Sequence, residues 1–313
     1  MSGWKVLLTD GLEEKGKAIL AQSAEVVDRT GISADELLQI VGEYDAVIVR
    51  GRTKVIPAVF DAASRLKVVG RAGVGVDNID LNAARAHNVI VVNSPLATTI
   101  AVAEVTMALM LSVVREVARA DATMKAGKWI KKELEGAELH AKTLGVIGFG
   151  RIGAAVGQRA AAFGMKIIGY DPLIPADEIQ RRGAKPVTMD ELLAEADIIT
   201  MHIPLTADSK NMLNADAFAK MKQGVYLVCA ARGGVIDEEA LLAALESGKV
   251  AGAGLDVFAT EPPGLTALVS HPRVVCTPHI GAQTVEAQER AAVDISSEVL
   301  AGLRGDALRW RVA

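Results

Sequence analysis

The run Thr143–Gly153, TLGVIGFGRIG, constrains the fold more than any other stretch of the chain. It reads as a short apolar strand from Leu144 to Ile147, then glycines at 148, 150 and 153, then an alanine-rich helix. Eighteen residues beyond Gly153 the next apolar run, KIIGY, ends on Asp171. Strand, glycine-rich turn, helix and an acid closing the second strand are the parts, in order, of a dinucleotide-binding βαβ unit. Gly148 allows the tight turn, Gly150 lets a pyrophosphate approach the backbone, and Gly153 lets the helix sit close to the strand. The helix N-terminus then offers unpaired N–H groups and a positive dipole end to the phosphates. Asp171 can accept hydrogen bonds from an adenosine ribose diol and would repel a 2′-phosphate. Pro172, Leu173 and Ile174 supply no cation to hold such a phosphate, so NAD is expected over NADP.

Further apolar runs recur with helical stretches between them. The early ones are Val6–Leu8, Glu25–Val27, Ala46–Val49, Lys67–Val69 and Val89–Val92. The later ones are Leu144–Ile147, Lys166–Gly169, Ile198–Met201, Val225–Val228, Ala251–Leu255 and Val274–Cys276. Most are continuous rather than alternating, as parallel strands covered on both faces require. The class is therefore α/β, with doubly wound parallel sheets. A chain of 313 residues exceeds the size at which one core keeps growing, so two lobes are expected. A net charge of −4 gives no general pull toward nucleic acid or anionic membrane. Cys229 and Cys276 lie within apolar runs and read as buried thiols in a reducing compartment. The start, MSGWKVLLTD, lacks a signal-peptide pattern, and Ile100–Val114 is too short to span a bilayer. A soluble cytoplasmic protein is expected, with no metal.

The break between lobes is expected near Ser94-Pro95, followed by one long helix from Thr98 to about Lys125 with apolar residues on several faces. Such a helix reads either as a connection that also packs on a second subunit or as an ordinary buried crossover. A second crossing is expected near Gly281, and Val285–Leu303 forms a final helix. The first lobe has its own glycine turn, GRAGVGVDN (70–78), but Asn78 stands where a third glycine would fall and no acid ends the next strand. Its exposed N–H groups could instead hold a carboxylate.

Three polar residues each follow the carboxyl end of a strand, where open α/β sheets place their ligands. They are Arg232 in CAARGGVID, Glu261 in DVFATEPP and His279 in CTPHIGA. Singly, each has a structural explanation: a surface ion pair, a solvated acid, a turn. Together they are what reduction of a 2-keto acid needs. Arg offers a planar fork to the substrate carboxylate. His exchanges the proton of the keto oxygen near neutral pH, and an acid behind the imidazole orients it.

From about Val6 to Gly305 the chain resembles the D-2-hydroxyacid dehydrogenase family, most closely its D-3-phosphoglycerate dehydrogenase branch. The resemblance is carried by VVGRAGVGVDNID (68–80), AGKW (126–129), KTLGVIGFGRIG (142–153), GYDP (169–172), ARGGVIDEEALLAAL (231–245), AGAGLDVFATEPP (251–263) and PHIGAQTVEAQ (278–288). It implies that Arg232, Glu261 and His279 are the substrate arginine, supporting acid and proton donor. It also implies NAD contacts at Arg151, Ile152, Asp171, Ala230, Asp256 and Gly281, with Val74 from the first lobe and His202 on the adenosine side. By the same likeness, Arg50, Thr53 and Arg71 hold anionic groups of the substrate, and N–H groups near Gly75 help bind its carboxylate.

The reading is thus two Rossmann-like lobes, an NAD-binding lobe at 95–283 and a discontinuous substrate lobe at 1–94 plus 284–313. The expected reaction joins D-3-phosphoglycerate and 3-phosphohydroxypyruvate. Other anionic 2-hydroxy acids (sulfolactate), or reduction of hydroxypyruvate or glyoxylate, remain open alternatives. Leu96 and Ala97 replace the usual Asn and Gly of the phosphoglycerate branch, and Cys229 replaces its common Asn. The sequence stops at Ala313, so control by serine through an added regulatory domain is not expected. NAD-sensing corepressors share the likeness, but no extension suited to a protein partner is visible. A homodimer is implied by the family.

Overall fold

The computed structural model describes residues 3–313. The chain divides into two compact units, one running up to Thr98 and resuming at Ala282–Ala313, the other Thr99–Gly281.

Among the described residues the first unit holds five strands: β1 Trp4–Leu8, β2 Ala24–Asp28, β3 Ala46–Val49, β4 Val68–Arg71 and β5 Ile90–Asn93. They form one parallel sheet in the order β2-β1-β3-β4-β5. Successive side chains point to opposite faces, so each apolar run feeds two cores. Leu7, Val47, Val49, Val69 and Val91 face the helices Ala34–Ile40 and Pro57–Ala62. Val6, Leu8, Ala46, Ile48, Val68 and Val92 face the helix Val285–Arg304, through Ala292, Ile295, Val299 and Leu303. That helix lies close to the sheet because Gly70 has no side chain: a Cβ there would sit 2.6 Å from Val299. Segment 309–313 runs antiparallel along β5, with Val312 N–H donating to the Val91 carbonyl at 2.8 Å. Buried Glu298 anchors this segment by accepting from the N–H groups of Arg309 (2.9 Å) and Trp310 (3.1 Å).

The second unit has seven strands: β6 Thr143–Ile147, β7 Lys166–Tyr170, β8 Lys185–Pro186, β9 Ile198–Met201, β10 Val225–Cys229, β11 Val250–Leu255 and β12 Val274–Cys276. All pair in parallel, in the order β12-β11-β10-β9-β6-β7-β8. The order reverses between β6 and β9, which opens a crevice at their carboxyl ends. The helices Thr99–Val114 and Arg151–Ala162 share one core with Leu144, Val146 and Val228. The helices Met189–Glu195, Ala215–Lys220 and Glu238–Glu246 cover the other face.

The single helix expected from Thr98 to about Lys125 is two. Thr99–Val114 ends at Arg115–Glu116, where Glu116 takes a left-handed φ of 52°, and Val117–Lys125 follows. The first segment buries nine residues, Met107, Met110 and Val114 among them; the second buries none. A straight continuation would carry a polar segment along the core, so the chain turns at the burial boundary. The apolar character of the first helix is explained by its own sheet: Gly254 and Gly252 are closely approached by Leu109 and Val113. Among the described residues no helix is long and apolar enough to cross a membrane. Cys229 is buried as expected, whereas Cys276 is partly exposed.

Both units repeat one brace. Asp45, just before β3, accepts from the Lys5 N–H (3.0 Å) and from Arg65 (2.9 Å). Asp197, just before β9, accepts from the Thr143 N–H (2.8 Å) and from Lys222 (2.9 Å). Burial alone would raise both carboxyls, but these bonds outweigh it and hold each below the usual aspartate value.

Candidate active site

The crevice of the second unit is built by its glycines. Gly148 has φ +89°, and a Cβ there would meet the His202 carbonyl at 2.6 Å. The β6 and β9 loops therefore touch at a position only glycine can fill. A Cβ on Gly153 would lie 2.1 Å from the Gly148 carbonyl, so the helix Arg151–Ala162 rests directly on the turn. Gly150, the N-cap, is different: nothing lies within 4 Å of its Cβ position, which leaves the backbone open to a bound group. Arg151 and Ile152 form the first helical turn there.

Asp171 follows β7 and accepts from Phe149 N–H (2.9 Å), Leu173 N–H (2.8 Å) and Ile174 N–H (3.2 Å). It thus shapes the glycine loop itself. A carboxylate offers about four acceptor sites, so one remains for a hydroxyl donor. His202 donates its N–H to the Ile147 carbonyl (2.7 Å), and its Nε2 lies 3.0 Å from Thr200 Oγ1. Burial pushes its imidazole down to about 3, so the ring is neutral. Its buried Nδ1 has no hydrogen-bond partner. An unpaired buried nitrogen beside a glycine cradle is what a polar ligand would satisfy. These residues fit a dinucleotide.

The second cluster lies along β10, β11 and β12. Their last residues, Cys229, Leu255 and Cys276, are in register across the sheet. Arg232, Glu261 and His279 lie in the loops that follow these neighbouring strand ends. His279 Nδ1 lies 2.7 Å from Glu261 Oε2. An ionised carboxylate only accepts, so in this pairing Nδ1 carries the proton and Nε2 is the ring nitrogen turned away from Glu261. The other oxygen, Glu261 Oε1, accepts from Phe258 N–H at 3.1 Å. His279 has φ +52°, and fully buried Asp256 holds the turn. The Asp256 carbonyl accepts from His279 N–H (2.9 Å), and its carboxylate accepts from Thr277 Oγ1 (2.6 Å), Ile280 N–H (2.8 Å) and Gly281 N–H (2.8 Å). Half-buried Arg232 donates to the Ala231 carbonyl at 2.7 Å. Its neighbour Gly233 lies so close to the next loop that a Cβ would be 1.8 Å from the Phe258 carbonyl. Between Arg232 and β10, Ala230 is buried, and burial pushes the Cys229 thiol up to about 11, so that sulfur is inert.

In the first unit the basic loop after β3 is organised by Asp10, an acid outside every motif in the sequence. Asp10 accepts from Arg50 N–H (2.7 Å), Thr53 N–H (3.1 Å) and Thr53 Oγ1 (2.5 Å). The Thr53 hydroxyl proton is thereby committed inside the protein. Arg52 is likewise occupied, with the Thr9 (2.8 Å) and Ile32 (3.1 Å) carbonyls. The Arg50 guanidinium pairs with Glu13 at 3.3 Å. Arg71 lies across Gly73, where a Cβ would collide with Nη1 at 1.4 Å, and Gly73 N–H donates to Ser94 Oγ at 2.6 Å. Val74 and Gly75, in the same loop, are half-buried.

Comparison with known proteins shows the family of the chain. Residues 107–281 match the family described as D-isomer specific 2-hydroxyacid dehydrogenase, NAD binding domain. The chain is 47% identical over 304 residues to "D-3-phosphoglycerate dehydrogenase 2, chloroplastic" of Arabidopsis thaliana, covering 96% of this chain and 49% of that one. It spans about half the length of the phosphoglycerate dehydrogenases it matches. With the "Hydroxypyruvate reductase" of Thermotoga maritima it shares 45% identity over 303 residues, 96% of this chain and 98% of that one. A crystal structure of a glyoxylate reductase from Paecilomyes thermophila superposes with a TM-score of 0.91 at 32% identity, covering 100% and 99% of the two chains. The chain belongs to the D-isomer specific 2-hydroxyacid dehydrogenase family, and its Thr99–Gly281 unit carries that family's NAD-binding domain.

Proposed function

We propose that this chain is an NAD-dependent oxidoreductase that interconverts a D-2-hydroxy acid and its 2-keto acid, with D-3-phosphoglycerate and 3-phosphohydroxypyruvate as the pair. The observation that carries the reading is the 2.7 Å bond between His279 and Glu261, past the ends of strands that neighbour the one leading to Arg232. Bound NAD supplies the hydride acceptor. Every other task falls to side chains. Arg232 holds the substrate carboxylate by charge-assisted bonds. Nε2 of neutral His279 takes the hydroxyl proton in oxidation and returns it in reduction. Glu261 fixes the ring through Nδ1 and stabilises the imidazolium. Asp171, with one acceptor site left and no cation following it, favours a ribose diol over a 2′-phosphate. Gly148, Gly150 and Gly153, with Arg151 and Ile152, form the pyrophosphate cradle. His202, Ala230, Asp256, Gly281 and Val74 complete the cofactor contacts.

For the distal anion of the substrate we assign Arg50 and Arg71, with the Gly75 N–H on the carboxylate. Thr53 serves by holding the loop's shape through Asp10. A second reading, reduction of hydroxypyruvate, is favoured by the 45% identity to the Thermotoga maritima protein. Assays of D-3-phosphoglycerate, sulfolactate and D-glycerate with NAD, read by absorbance of the reduced nicotinamide, separate the readings. Turnover of 3-phosphoglycerate is expected, and Arg50→Ala raises KM selectively for substrates with a distal anion. An equal effect on D-glycerate would remove Arg50 from the site. We also assign a homodimer, supported by the exposed Trp129, Met124 and Val117 along 117–134.

A further inference from the structure

We infer that Glu238 is a positioning residue that braces the loop carrying Glu261, and through it the ring of His279. The inference rests on the activity proposed above. Glu238 opens the helix Glu238–Glu246, whose start is fixed by Asp237 accepting from Glu239 N–H and Ala240 N–H, both at 3.1 Å. Upstream, the loop that bears Arg232 is pinned to a third segment. Asn211 N–H donates to the Gly234 carbonyl (2.8 Å), Leu213 N–H to the Val235 carbonyl (3.2 Å), and Asp237 N–H to the Leu213 carbonyl (3.0 Å). Glu238 thus stands on a rigid frame.

From that frame Glu238 Oε1 accepts the Ala259 N–H at 2.6 Å. The preceding N–H, of Phe258, goes to Glu261 at 3.1 Å. Two successive amides therefore bind two carboxylates: one fastens the loop to the frame, the other fastens Glu261 within the loop. A second contact fixes the same pair of loops, since Gly233 lies against the Phe258 carbonyl where any Cβ would collide. Arg232 and Glu238 also line one small cavity with Cys229 and Gly233. The backbone at 258–259 is thus held on both sides, by the glycine at its carbonyl and by Glu238 at its next amide. Without the acid the amide loses its acceptor, and the Glu261 carboxylate loses its fixed distance to Nδ1.

Glu238→Ala removes the acceptor, and Glu238→Gln keeps an acceptor oxygen without the charge. In the full chain with NAD and D-3-phosphoglycerate, E238A is expected to lower kcat about 10–100-fold, the scale of a misplacement of about 1 Å. KM changes far less, and E238Q recovers most of the loss. The His279 ring proton bonded to Glu261, followed by NMR without any substrate, is expected to be protected in wild type and E238Q and to exchange rapidly in E238A. Equal losses in both variants, or E238A with wild-type kcat and ring-proton signal, would overturn the brace. A wild-type chain that turns over none of the acids sinks the proposed activity, and the ring-proton comparison then judges the brace alone.

Discussion

A histidine with left-handed backbone is costly, on the order of 1 kcal/mol, and persists only where its surroundings over-determine it. At position 279 they do. Asp256 takes up the N–H groups on both sides of the turn, and Glu261 fixes the ring. Backbone and chemistry can be separated here, because Asn tolerates the same φ but cannot do the imidazole's work. His279→Asn and His279→Ala are both expected to lower kcat about 10²–10⁴-fold, the worth of a positioned acid–base group. Thermal melting should show the Asn variant to be the more stable of the two. Near-native turnover in either would remove His279 from the reaction. As candidates His279, Arg232 and Glu261 could be picked out from the sequence because each follows a strand end, and the structure pairs two of them, His279 with Glu261. Glu238 and Asp10 could not be picked out. Their partners lie 21 and 43 residues away along the chain, and no local spacing marks such a bond.

Strands declare themselves when both faces are buried, because every position is then apolar. That is why the runs ending at Leu8, Val49, Ile147 and Met201 could be read directly, while Lys185–Pro186, two residues at the sheet edge, left no pattern. The break at Glu116 was hidden for the opposite reason: Arg, Glu and Val are all compatible with helix, and only the end of the burial surface stops it there. The aspartate braces belong to this scale too. Asp45 is nearly fully buried, and Asp45→Ala leaves the Lys5 N–H without its acceptor. The expected loss of stability is about 1–3 kcal/mol, read by denaturant unfolding. The folded-state carboxyls of Asp45 and Asp197 are lowered, so their stabilisation is complete above the ordinary value of 3.8 and fades as pH falls through and below it. In D45A that acid-induced loss should be smaller; an unchanged acid midpoint would argue against the brace.

At the scale of the whole molecule, light scattering is expected to give twice the chain mass of 32.8 kDa. A value at the single mass would dismiss the homodimer. The two-lobe expectation followed from length, and the discontinuous lobe of 1–94 plus 284–313 from the second crossing expected near Gly281; in the structure Ala282–Ala313 groups with the residues up to Thr98. That grouping has a consequence for synthesis. Thr99–Gly281 is one unbroken stretch and can close as soon as it has left the ribosome. The β1–β5 sheet emerges earlier but must wait. The face bearing Val6, Ile48 and Val68 stays bare to water until Ile295 and Val299 are made, so a sheet translated ahead of the Thr99–Gly281 unit is completed after it.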